Sequence, residues 1–204
     1  MKKSSVSSLI LQRIETGPRD KIYVVADFLD LGNYHAVRKA LLRLSGSDKI
    51  RKVMDGIYYY PEYSPLLKEY EAPSPKEFAS AVARKFNWTI APCDDAALNE
   101  LGLSTQVVGN WSFVSDGPYR EFKLSGLTVK FKHCSTREIA SLSKKSATVV
   151  QAIEAIGKGR LDNSQLESIR HCLSQEEKEA LLRESSHVRV WVKDVVERIC
   201  EEGR

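Results

Sequence analysis

The chain has 204 residues, 42% of them hydrophobic and 28% charged, with a formal net charge of +4. This composition can fill ordinary cores, argues against disorder, and leaves room for two small domains or one large one. No segment approaches the roughly 20 apolar residues that a spanning helix needs, and Met1-Lys2-Lys3 runs into serines and not into the apolar stretch of a secretory leader.

A cytoplasmic protein without membrane contact is therefore expected. Cys93, Cys134, Cys172 and Cys200 are far apart and form no CxxC pair, which suits a reducing compartment. The charge is unevenly placed. Residues 1–60 carry 11 Lys/Arg against 6 Asp/Glu, leaving 20 against 21 for the remainder, the distribution of a polyanion-binding module joined to a near-neutral body.

Taken in order, Ser4 and Ser5 are natural caps for a helix with Val6, Leu9, Ile10 and Ile14 at helical spacing, stopped by Gly17-Pro18. Ile22 to Val25 is a short β-prone run, and Ala26 to Leu31 a helical turn closed by Gly32. From Tyr34 to Leu44 the positions Val37, Leu41 and Leu44 share one buried stripe, while His35, Arg38, Lys39, Leu42 and Arg43 spread over the other faces. Two β-prone runs then flank Asp55-Gly56, a dipeptide suited to a two-residue hairpin turn.

Helix, strand, helix, basic helix and basic hairpin is the order of a winged helix-turn-helix. A helix fits the major groove, and Lys and Arg on the wing neutralise phosphates and fix the helix's register. The partner is thus expected to be double-stranded DNA, with Tyr34, His35, Arg38, Lys39 and Arg43 reaching the groove and Lys49, Arg51 and Lys52 gripping phosphate. Strand alternation sends Arg51 and Lys52 to opposite faces. Tyr58, Tyr59 and Tyr60 are expected to pack into the core and not to stack on bases.

The predicted DNA-binding domain spans residues 1–62. Residues 63–73, punctuated by Pro65, Pro73 and nearby serines, read as an extended linker. A second domain, 74–204, opens at Ser74-Pro75-Lys76-Glu77, which has the form of a capping box. Its helix turns Phe78, Val82 and Phe86 inward. Trp88 to Ala91 reads as a strand, and Asp94-Asp95 caps a helix through Leu101. Runs from Trp111, Tyr119 and Leu127 look like an antiparallel meander. The rest is helical: about Thr136 to Ser143, Val149 to Ile156, Asn163 to Cys172, Gln175 to Arg183 and His187 to Glu201. The last carries Val188, Trp191, Val192, Val195 and Ile199 as a packing face. The fold class is α+β: a winged helix-turn-helix followed by a mixed α/β domain with a helical C-terminal part.

The segment from Ala36 to Leu44, followed by Ile50-Arg51-Lys52-Val53 and Gly56-Ile57-Tyr58-Tyr59, resembles the N-terminal winged helix of AbiEi-like antitoxins of the AbiE abortive-infection systems. Asn87-Trp88-Thr89-Ile90-Ala91-Pro92, the run from Ala96 to Gln106 and Ser115-Asp116-Gly117 resemble the same family's C-terminal domain. Leu101-Gly102-Leu103-Ser104-Thr105-Gln106 is the most specific part. The resemblance covers most of residues 5–135. It implies an autorepressor on promoter inverted repeats and a type IV antitoxin active in phage defence. Such a protein opposes a nucleotidyltransferase toxin without forming a stable complex with it, and is neither an enzyme nor dependent on a cofactor or metal. One departure is that Ser45-Gly46-Ser47-Asp48 is less basic than the helix-to-wing turn often seen in that family.

Two alternatives stand beside this. One is a protein-interaction module that masks a toxin directly. The other is a Mg²⁺-dependent nuclease, because Asp116 followed by Glu121-Phe122-Lys123 has the pattern in which two carboxylates hold the metal and a Lys supports the attacking water. Against it, an Asp-Gly turn accounts for Asp116 and Glu-x-Lys is common by chance, so the plain structural reading prevails. His133-Cys134 and His171-Cys172 lack the close ligand pairs of a zinc site, and Gly157-Lys158-Gly159-Arg160 is too short for a phosphate-binding P-loop.

Overall fold

Ser5 and Asn33 start the first two helices by one device. Each side-chain oxygen accepts a backbone N–H three residues on, from Ser8 at 3.2 Å and from Ala36 at 2.9 Å, which satisfies an orphan donor of the first turn. The computed structural model describes residues 5–18, 21–66, 68–106, 109–135 and 139–201. The expected cap at Ser4 and the start of the helix expected from Thr136 lie outside the described residues. The protein is α+β, and its chain divides into two compact units, Met1–Trp88 with Leu124–Gly126 and Thr89–Lys123 with Leu127–Arg204.

The first unit runs α1 (Val6–Glu15), β1 (Ile22–Val24), a 3-10 helix (Val25–Phe28), α2 (Tyr34–Gly46), β2 (Arg51–Met54) and β3 (Ile57–Tyr59). The strands form an antiparallel sheet of order β1-β3-β2, so β3 lies in the middle. Cross-strand partners Tyr23, Tyr58 and Lys52 share one face, and Ile22, Tyr59 and Arg51 the other, because side chains alternate along a strand. On the first face Tyr23 and Tyr58 join Ile10, Ile14, Val37 and Leu41 in a buried core. Val24 and Ile57 belong to the second face and are equally buried. That face is met by α3 (Pro75–Phe86), which packs against β1, β3 and the 3-10 helix.

This packing moves the domain boundary. The sequence places the second domain's start at residue 74, but α3 buries Phe78, Ala79 and Val82 within the first unit, which closes at Trp88. Arg84 of α3 donates to the Ile22 carbonyl at 2.6 Å and stands 3.5 Å from the Asp27 carboxylate, which itself accepts the Val24 N–H. The expected linker is a two-stranded ribbon, β4 (Tyr63–Ser64) with β5 (Glu69–Tyr70), pairing Tyr63 with Tyr70. Ser74 is the N-cap of α3 with Pro75 at the first helical position, yet its side chain makes no cap bond, so the capping box is not formed.

The second unit contains β6 (Ile90–Cys93), α4 (Asp95–Glu100), β7 (Asn110–Ser115), all but the last residue of β8 (Arg120–Leu124), and β9 (Leu127–His133). These are followed by α5 (Lys144–Ile156), α6 (Asn163–His171), α7 (Gln175–Glu184) and α8 (Val190–Cys200). The antiparallel meander is corrected. The sheet order is β6-β7-β9-β8, with β7 parallel to β9 from Asn110 and Thr128 to Ser115 and His133. β9 takes the inner place because Thr128, Val129 and Phe131 are buried, whereas β8 exposes Arg120, Glu121 and Lys123 and suits an edge. The helices share one core of Val149, Ile153, Leu166, Ile169, Leu181 and Val192 with their neighbours. The stripe expected on α8 is its packing face, with Val192 and Ile199 fully buried. Among the described residues no helix is long and apolar enough to cross a membrane.

Replacing Arg84 with Met keeps the aliphatic stem and removes its polar contacts. This change is expected to cost about 1 kcal/mol, the charge being partly exposed, and to speed amide exchange at Val24. Exchange unchanged from the parent protein would mean that α3 does not brace β1.

Candidate nucleic-acid interface

The buried positions of α2, Val37, Ala40, Leu41 and Leu44, set the helix's rotation. They leave Tyr34, His35, Arg38, Lys39, Leu42 and Arg43 exposed, two neighbouring rows four residues apart that form one stripe along the axis. At the start of the stripe the Tyr34 and His35 rings meet edge to face, with centroids 5.8 Å apart.

Lys52 lies on the face of β2 that looks toward α2, as its register opposite Tyr58 requires. Its ammonium pairs with the Asp55 carboxylate, whose side chain is 82% exposed. That hydrogen bond raises the Lys52 pKa and holds the Asp55 carboxyl below its ordinary value. Arg38 stands near enough to oppose the Lys52 charge and to favour ionised Asp55. Arg38 and Lys52 thus belong to one electropositive surface, with Asp55 at its edge.

The other two expected phosphate ligands turn elsewhere. Arg51 lies on the opposite face of β2, its guanidinium 4.2 Å from the centroid of Tyr70, and Tyr70 meets Tyr63 edge to face at 5.4 Å. Lys49 is exposed and lines a cleft of about 430 Å³ with Glu15, Asp48, Tyr63 and Tyr70. Tyr58 is buried, and Tyr59 and Tyr60 are half-buried.

Two participants escape sequence reasoning. Asp55 reads only as a turn residue, although its position three residues after Lys52 across a tight turn could have shown the pairing. Lys85 of α3 donates to the Asp55 carbonyl at 2.6 Å. Its partner is thirty residues away, and no local pattern announces the contact.

In the second unit the nuclease-like residues have other partners. Asp116 accepts the Thr89 N–H at 2.9 Å, Lys123 donates to Thr128 Oγ1 at 2.7 Å, and Glu121 pairs with Tyr119 and, at 3.5 Å, with Lys130. His133 Nδ1 is 2.9 Å from the Gly117 carbonyl, and the Cys172 thiol donates to the Leu101 carbonyl. Burial pushes the Cys93 thiol up to about 12, which keeps it protonated near neutrality. The Leu101–Gln106 segment follows α4 as a loop. Asn99 Nδ2 donates to the carbonyls of Ser104 and Gln106, each at 3.3 Å, while Leu101 is buried and Leu103 packs on the core.

Fold and surface together define an α+β protein whose first unit displays a basic helix beside a short hairpin. The chain belongs to a family of unknown function, DUF6088, whose pattern matches residues 9–181. No curated protein matches it. Among solved structures it is similar to the RV2827C protein from Mycobacterium tuberculosis, at 14% identity and a TM-score of 0.46, over 96% of this chain and 76% of that one.

The Asp55 shift has a definite pH signature. Because the carboxyl is held below its ordinary value of 3.8, the pairing with Lys52 contributes above that value and is lost as pH falls through the lowered one. A carboxyl-carbon NMR titration is expected to place the Asp55 midpoint below 3.8 in the parent protein and closer to it in Lys52→Ala. Identical midpoints in the two proteins would show that Lys52 is not the partner in solution.

Proposed function

We propose that the chain is a DNA-binding transcriptional autorepressor and the antitoxin of a type IV toxin-antitoxin system. Its first unit is read as a winged helix-turn-helix in which α2 enters the major groove and the β2–β3 hairpin is the wing. The observation that carries this reading is the single exposed stripe Tyr34, His35, Arg38, Lys39, Leu42 and Arg43 with Lys52 on the same side.

A helix bearing Arg and Lys on one face can place guanidinium forks on guanine edges, and an apolar residue such as Leu42 can meet a thymine methyl. Lys52 neutralises a phosphate on the flank and fixes the helix's position without reading sequence. Arg51 and Lys49, turned to the tyrosine-bearing side, add to the positive field but make no groove contact. The antitoxin role rests on the resemblance of the Ala96–Gln106 and Ser115–Gly117 segments to AbiEi-like proteins. The partner that the reading implies is a nucleotidyltransferase encoded by the adjacent reading frame and opposed without a lasting complex.

Binding to the chain's own upstream region separates these roles. Arg38→Ala is expected to lose about 1–3 kcal/mol on the specific duplex and far less on random sequence. Lys52→Ala weakens all duplexes alike and lowers the salt slope by about one, while Arg51→Ala changes binding less than Lys52→Ala does. Fluorescence anisotropy over a salt series measures all three. If neither Arg38→Ala nor Lys52→Ala affects binding, the assignment is wrong.

A further inference from the structure

We propose that Lys85, on the last turn of α3, is a positioning residue for the DNA-reading surface. It holds the hairpin turn in place, so that Lys52 is presented beside Arg38 before DNA arrives. The proposal rests on the DNA-binding reading above and adds to it a residue that contacts the wing and not the nucleic acid.

The hairpin has reason to need a brace. β2 is an edge strand of four residues whose register with β3 shifts between Lys52 and Met54, and only Asp55 and Gly56 join it to β3. A bulge bends its strand and leaves ladder groups unpaired, and a two-stranded hairpin is marginal on its own. Lys52 sits on that irregular strand, immediately before the shift.

Lys85 supplies the brace. Its ammonium donates to the Asp55 main-chain carbonyl at 2.6 Å, and its Cε would lie 3.8 Å from a Cβ placed on Gly56, so the side chain runs along the turn. The same ammonium is 4.8 Å from the Phe86 ring centroid. One residue earlier, Arg84 holds the Ile22 carbonyl of β1. Successive residues of one helical turn therefore tie down the outer strand and the hairpin turn, and α3 itself is seated on the sheet between them.

Two lysines thus converge on one residue, Lys52 on the Asp55 carboxylate and Lys85 on its carbonyl. A charge-assisted bond to a carbonyl is stronger than a neutral one. With it, the turn's position is fixed in the free protein. Without it, the wing must be ordered during binding, and the entropy of that ordering is subtracted from the affinity.

The test is a double-mutant cycle on the full chain, read by anisotropy on a duplex of its own upstream region and on a random duplex. Lys85→Met is expected to weaken binding about fivefold in the parent background and less than twofold in Lys52→Ala, because Lys85 acts through the wing. Lys85→Arg, which keeps a cation within reach of the carbonyl, is expected to bind within about twofold of the parent protein.

Full affinity in Lys85→Met would overturn the proposal and leave the DNA-binding reading standing. So would losses that multiply with those of Lys52→Ala, the mark of a lysine gripping phosphate by itself, or a Lys85→Arg variant as weak as Lys85→Met. A parent protein that binds neither duplex would remove both.

Discussion

The first unit depends on the burial of β3 from both sides. A three-stranded sheet with its last strand in the middle has two apolar faces, and each must be covered. On one side α1 and α2 press Ile10, Ile14, Val37 and Leu41 against Tyr23 and Tyr58. On the other, α3 meets β1 and β3, where Val24 and Ile57 are closed off from water. Both rows of β3 are therefore committed to packing, and a slip of one residue would exchange them. That commitment fixes the side on which every residue of β2 appears, and so separates Lys52 from Arg51.

Charge follows from this arrangement. Lys52 and Arg38 share a side with a like-charge cost, and Asp55 offsets it at the surface, where such a pair is worth little to stability. Its significance in a nucleic-acid reader is different. Under the proposed DNA-binding role, a carboxylate beside Lys52 would compete with any phosphate for that lysine and hold down indiscriminate binding, leaving the proposed groove contacts of α2 untouched. On the opposite side, Arg51 lies over Tyr70, and Glu15 and Asp48 share a cleft with Lys49. That mixture of acids and rings is less inviting to a polyanion than the α2 stripe.

The second unit shows the same logic of cover and edge. Its apolar strand β9 sits inside the sheet and its charged strand β8 at the rim. Glu121 and Lys123 share the rim, but each is held by a neighbour of its own. The Leu101–Gln106 loop is organised from within, by Asn99 bonding to two of its carbonyls and by Leu101 and Leu103 anchoring it. An ordered loop of this kind can present a fixed surface to a partner.

By itself the sequence determined what local rules determine. Helical spacing of Val37, Leu41 and Leu44 set which face of α2 is buried, and hence that Arg38, Lys39 and Arg43 are exposed. Asp55-Gly56 marked the turn of the β2–β3 hairpin, and strand alternation placed Arg51 and Lys52 on opposite faces. Only the tertiary structure decided what depends on contacts distant along the chain. A proline-punctuated stretch reads as a linker, yet α3 beyond it returns to cover β1 and β3, so the first unit closes at Trp88 and not near residue 62. Neighbouring strands in sequence read as a meander, yet β9 inserts between β7 and β8 because inner places go to strands buried on both faces. Lys85 and Asp55 meet across thirty residues through the seating of a whole helix, and periodicity, which records only how one element meets solvent, holds no trace of which elements meet each other.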